Sequence, residues 1–163
     1  MRVATGLAWG SVGRPADLKT LLDADLASAF DERGLNKTWV LPAELERAYR
    51  QNSTYASDPF NLAEEQLRSP LLKLETRLAE PFASQVSVLI RLHDEVRYVL
   101  APVELRLERA GTGGRGVLRV VLLDARLSNI VWIGEFSSDT LTAYSPAVTA
   151  GIASKLASAV SAQ

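Results

Sequence analysis

The chain has 163 residues, 47% of them hydrophobic and 23% charged, which suits one domain with a real apolar core and argues against disorder. Eighteen Lys and Arg stand against nineteen Asp and Glu with no long block of one sign, so no footprint for nucleic acid is expected. Zero cysteines exclude disulfides, thiolate catalysis and Cys-ligated metals, one histidine excludes His-rich metal sites, and no run of about 18 apolar residues offers a transmembrane helix.

In chain order, residues 2–9 (Arg-Val-Ala-Thr-Gly-Leu-Ala-Trp) read as a first strand. The stretch is too short, and its flanks are wrong, for a signal peptide. Either the protein is cytoplasmic or a leader has been removed. Gly10-Ser11-Val12-Gly13 is turn chemistry, and Pro15 suits the first position of a helix. That helix carries Leu18, Leu21, Leu22, Leu26, Ala29 and Phe30 at helical spacing and ends near Gly34. Asp25 falls within the stripe, so this part is expected to be partly exposed, because burying an unpaired carboxylate is costly. Thr38-Trp39-Val40-Leu41 reads as a second strand, and Pro42 opens a second helix through Leu45, Ala48 and Tyr49.

Residues 51–61 form a long loop with two large aromatics, Tyr55 and Phe60. A helical region interrupted at Pro70 and Pro81 follows, its apolar face formed by Leu71, Leu74, Leu78, Phe82, Val86, Leu89, Ile90 and His93. The period then changes to two: Val103, Leu105 and Leu107 alternate with Glu104, Arg106 and Glu108, after a phase slip at Ala101-Pro102. Gly111 to Gly116 reads as a glycine-rich connection, Val117 to Leu123 as a buried strand, and Ile130 to Ile133 as the last strand after a turn at Leu127-Ser128-Asn129. Ser145-Pro146 suits the cap and first turn of a final helix carrying Val148, Ile152, Leu156 and Val160. The expected order is β-α-β-α-α-β-β-β-α in a single α/β (α+β) domain spanning 1–163. Helices pack on a mixed sheet of about five strands that ends in an antiparallel meander, because the last connections are too short for crossovers.

Few residues carry chemistry. Gly111-Thr112-Gly113-Gly114-Arg115-Gly116 has the letters of a dinucleotide fingerprint, but a strand rather than a helix follows it, so a hairpin loop is expected. Gly10, Ser11 and Gly13 join a strand to a helix N-terminus and are the candidate anion turn, although the lysine of a phosphate loop is missing. His93 is the one group able to act as a base near neutral pH, yet no serine sits in a nucleophile elbow and His93 lies on an apolar stripe. Glu44 with Glu46 and Glu64 with Glu65 fit solvated helix faces. No catalytic residue, cofactor or metal is expected. The loop bearing Tyr55, Asp58, Pro59 and Phe60 is the candidate partner-binding site, since loop aromatics either pack back on the domain or meet a partner.

One stretch is more specific. Tyr98-Val99-Leu100-Ala101-Pro102-Val103-Glu104-Leu105 is followed by a strand ending in Asp124, a turn at Ser128-Asn129 and a strand carrying Trp132. This resembles bacterial envelope proteins related to the TolB amino-terminal domain, including LpoB-like and CsgG-like lipoproteins. There, a Tyr-Val-Val strand leads through a hairpin to an aspartate, a turn and a tryptophan. Asn129 stands where the turn glycine is usual, and Ala101-Pro102 replace a small residue and glycine. The resemblance implies that Asp124 caps the turn and that Trp132 fills core or sheet surface. It also implies a non-enzymatic periplasmic domain, an accessory or assembly subunit docked onto a larger envelope or membrane complex. A lipid anchor would require a leader that has been removed. The alternative from the residues alone is a soluble domain that binds a small ligand or anion at Gly10–Gly13, with weak hydrolase activity centred on His93.

Overall fold

The computed structural model describes residues 1–5, 13–93 and 96–162. Along these, the order is β1 (Arg2–Thr5), α1 (Pro15–Glu32), α2 (Pro42–Gln51), α3 (Phe82–Ile90), β2 (Tyr98–Ala110), β3 (Gly113–Asp124), β4 (Asn129–Ser137) and α4 (Ala147–Ser161). Single 3-10 turns stand at Leu35–Lys37 and Glu64–Arg68. The sheet has the order β1-β2-β3-β4. β1 runs parallel to β2, with Arg2 opposite Glu104 and Thr5 opposite Leu107. β2, β3 and β4 form a meander whose short connections, at 111–112 and 125–128, permit only antiparallel neighbours.

The mixed α/β class and the C-terminal meander agree with the sequence reading, but the described sheet has four strands rather than about five. The missing one is Thr38–Leu41. The N–H groups of Thr38 and Trp39 both donate to the Leu35 carbonyl, and the Trp39 ring packs edge-on to Phe30 at 5.8 Å. The segment is thus spent closing a turn beneath α1. β-branched and aromatic residues favour a strand only when a neighbouring strand is there to receive them.

The chain divides into two compact units, and β2, β3 and β4 each contribute to both. The first comprises Met1, residues 42–103 and residues 120–134; the second comprises residues 2–41, 104–119 and 135–163.

In the second unit α1 lies against α4. α1 begins at Pro15, where a missing N–H costs nothing, and stops before Gly34, which takes the left-handed φ of 69°. It buries Leu18, Leu22, Ala29 and Phe30, and α4 buries Val148, Ile152, Ala153 and Leu156. α4 reaches the sheet over bare backbone: a Cβ on Gly116 would stand 2.5 Å from Val148 Cγ1 and 3.0 Å from Ile152 Cδ1. Gly113 is equally confined, by the Leu141 carbonyl, which also accepts the Gly114 N–H at 2.9 Å. The expected glycine-rich connection therefore shrinks to Gly111-Thr112, while Gly113 to Gly116 belong to β3 because other chain segments approach them closely. Ser145 does not cap α4. Pro146 holds the cap position without a side-chain bond, and Thr149 Oγ1 donates back to its carbonyl at 3.0 Å.

In the first unit the core is built from Leu67, Leu78, Phe82, Val86, Val103, Val121, Leu123 and Ile130. The expected helical region around Pro70 is not formed. Glu75 has a φ of 63°, and its N–H and that of Leu78 donate to the carbonyls of Ile130 and Ser128. Residues 75–78 thus lie along the start of β4 instead of satisfying one another in a helix. Pro81 ends this stretch, and α3 begins after it.

Candidate functional site

The loop after α2 is held from within. Asn52 Nδ2 donates to the Ala48 carbonyl at 2.8 Å, while the N–H groups of Tyr55 and Ala56 donate to the Asn52 carbonyl. Ala56 is buried and anchors the loop. Asp58 Oδ1 accepts the Phe60 N–H at 2.9 Å, a side-chain-closed turn spanning Pro59. Tyr55 donates its hydroxyl to Asn52 Oδ1. The two aromatics point outward, Tyr55 at 64% and Phe60 at 40% exposure. Asp58 and Pro59 are half-buried between them.

Asp124 lies at the end of β3, 1% exposed, and organises the next turn. Its Oδ1 accepts the N–H groups of Arg126 and Leu127 at 2.9 and 3.0 Å, and its Oδ2 accepts Arg97 Nε and Nη2 at 2.8 and 2.6 Å. Burial pushes this carboxyl up. The Arg97 hydrogen bond, the two backbone N–H groups and the guanidinium charge outweigh that and hold it below the usual aspartate value. Arg97 also lies over the Tyr98 ring, 5.1 Å from its centroid. The positive φ of the turn, 52°, falls on Ser128 rather than on Asn129, which opens β4. Trp132 is half-buried and lies over Gly134, where a Cβ would collide with its ring.

The other candidates do not converge. Gly10 and Ser11 lie outside the described residues, and Gly13 is exposed ahead of α1. His93 follows α3 half-buried, its Nε2 without a hydrogen-bond partner, and Asp94 lies outside the described residues. Glu46 is bonded by Arg50 at 2.6 Å, beside an open hollow along α2, and Glu65 lies 3.7 Å from Arg68. Asp25 is half-buried with Oδ2 unbonded, and burial together with its charge pushes the Tyr144 phenol up. Among the described residues no group of three or more His, Asp or Glu could hold a metal, and no helix is long and apolar enough to cross a membrane.

The aliphatic side chains at the β3–β4 end of the first unit escaped the sequence reading. Leu71 is 80% exposed, Leu74 and Leu127 are each 59% exposed, and Val131 is also exposed. Leu71 and Leu74 had the spacing of a buried helical face. The available warning was Pro70 immediately before them, which weakens any helix through that point. Every large apolar side chain that is well exposed among the described residues, Tyr98 included, belongs to the first unit.

Comparison with protein-family models, with curated proteins and with solved structures finds no match to this chain.

Proposed function

We propose that this chain is a non-enzymatic protein-interaction domain. It serves as an accessory or assembly subunit of a larger envelope or membrane protein complex in the bacterial periplasm. The observation that carries this reading is the loop of Tyr55, Asp58, Pro59 and Phe60. It presents two exposed aromatics on a backbone already fixed by Asn52 and Asp58. Aromatics dominate the energetics of protein interfaces, and a loop ordered in advance loses little entropy when a partner arrives. The likeness of residues 98–132 to envelope proteins of the TolB amino-terminal type supports the choice of compartment and of machine.

The test is quantitative cross-linking and co-purification from native membranes, with wild type compared against Tyr55→Ala/Phe60→Ala. Complex recovery is expected to fall at least about tenfold, as for loss of an interface anchor. Thermal stability should stay close to wild type, because both side chains are exposed. Unchanged recovery, or a parallel collapse of folding and binding, would show that the loop is no docking site.

A further inference from the structure

We propose that the end of the first unit formed by residues 71–77 and 126–131 is a docking surface for an anionic lipid bilayer. The proposal uses a residue set separate from the Tyr55–Phe60 loop, and it stands or falls independently of the protein-interaction reading.

The geometry comes from two turns brought side by side. In the first, the Leu71 N–H donates to Ser69 Oγ at 3.2 Å, the Leu72 N–H to the Ser69 carbonyl, and the Lys73 N–H to Thr76 Oγ1. These bonds turn Leu72 inward against the core, while Leu71 and Leu74 project outward on either side of exposed Lys73. In the second, Asp124 gathers the N–H groups of Arg126 and Leu127, and both side chains are exposed. Backbone pairing joins the two turns. The Glu75 N–H donates to the Ile130 carbonyl at 2.8 Å, the Ile130 N–H to the Thr76 carbonyl at 3.1 Å, and Arg77 stands opposite Asn129. The segment that carries Leu74 and Arg77 thereby runs alongside the segment that carries Leu127 and Val131.

The charge on this edge has one sign in excess. Lys73, Arg77 and Arg126 are exposed, and none of them forms an ion pair among the described residues. Glu75 is the one exposed carboxylate within the two segments. The remaining carboxylate of the turn, Asp124, is buried and already paired with Arg97, so it presents no charge outward. Aliphatic side chains projecting between unpaired cations match the boundary of an anionic bilayer. Leucines enter the acyl region, and Lys and Arg reach phosphates with their stems against the apolar layer. A protein partner is the poorer match, because interface anchors are enriched in Trp and Tyr and Leu is under-represented among them.

The experiment is co-sedimentation of the full chain with vesicles of phosphatidylglycerol and phosphatidylcholine in equal amounts, against phosphatidylcholine alone. Binding is expected for the anionic vesicles only, and it should fade toward about 1 M salt, where the screening length is about 3 Å. Neutralising Lys73, Arg77 and Arg126 together (K73Q/R77Q/R126Q) should weaken partition about fivefold per charge, and about a hundredfold in all. L71S/L74S should weaken it about tenfold or more through lost apolar burial. Because the chain has no cysteine, one environment-sensitive label at Leu74→Cys is unique. It should shift to the blue on anionic vesicles, while the same label at Thr20→Cys on α1 should not. Equal binding to both vesicle types would overturn the proposal. So would anionic binding untouched by both sets of variants, a label at Thr20→Cys that shifts as much, or capture by soluble polyglutamate without vesicle binding.

Discussion

The two units are built on the same three strands of the meander and yet finish their surfaces differently. In the second unit, two long helices, α1 and α4, cover the apolar residues, and none of the well-exposed large apolar side chains among the described residues belongs to it. Its strand surface is tied by charges across strands: Arg106 to Glu135 at 2.9 Å and Arg115 to Glu108 at 2.7 Å. Such exposed pairs contribute little stability, but they leave the surface polar. In the first unit, the short helix α3, one 3-10 turn and the irregular stretch 69–81 do the covering, and they leave leucines, a valine and aromatics outside. Among the described residues, the unit with less regular structure is the one that carries the exposed large apolar side chains.

Substitutions in each unit test this contrast. The largest effect is expected inside the first unit: Phe82→Ala should cost about 3–5 kcal/mol of unfolding free energy in denaturant titration. A loss below about 1 kcal/mol would mean that the first unit has no real core of its own. Next, Gly116→Val should cost about 3 kcal/mol, because a side chain there drives into Val148 and Ile152 of α4. Full tolerance would contradict the close seating of α4 in the second unit.

A smaller effect, about 1–2 kcal/mol, is expected for Asp124→Asn, which keeps an acceptor for the turn but loses the pair with Arg97. Its pH dependence has a definite sign. The folded carboxyl is held below the ordinary aspartate value of about 3.9, so its stabilisation is complete above that pH and is lost as pH falls through the lower folded value. The wild-type advantage in melting temperature should be flat near neutrality and shrink below about pH 4. An advantage independent of pH would assign the effect to packing alone. The smallest effect belongs to L71S/L74S, which should change stability by less than about 0.5 kcal/mol, since both side chains already face solvent. A loss above about 2 kcal/mol would place those leucines in the core after all.

Legibility from sequence followed the range of the interactions involved. The stripe of α1, the strand alternation from Val103 and the stripe of α4 are set by local period, and they stand where the pattern placed them. Thr38–Leu41 closes a local turn instead of joining the sheet, whereas residues 69–81 are drawn away from a helix by distant partners. The Leu35 carbonyl takes the first, and the carbonyls of Ser128 and Ile130 take the second. No local period records a pairing across some fifty residues of intervening chain. Gly113 and Gly116 did carry a readable signal, since glycine next to a strongly apolar run marks close approach as well as a loop. The composition of residues 51–61 marks a loop, and its aromatics Tyr55 and Phe60 are exposed. The leucine and arginine edge was not legible in the sequence, because its two halves meet only through the fold.

The most direct measurement is site-specific photo-cross-linking in native cells, with the reactive side chain placed in turn at Tyr55, at Phe60, and at exposed Thr20 and Thr140 of the second unit. Discrete adducts with a protein partner are predicted from Tyr55 and Phe60, and none from Thr20 or Thr140. Adducts formed equally from all four positions, or from the second unit alone, would contradict the assignment of docking to the first unit.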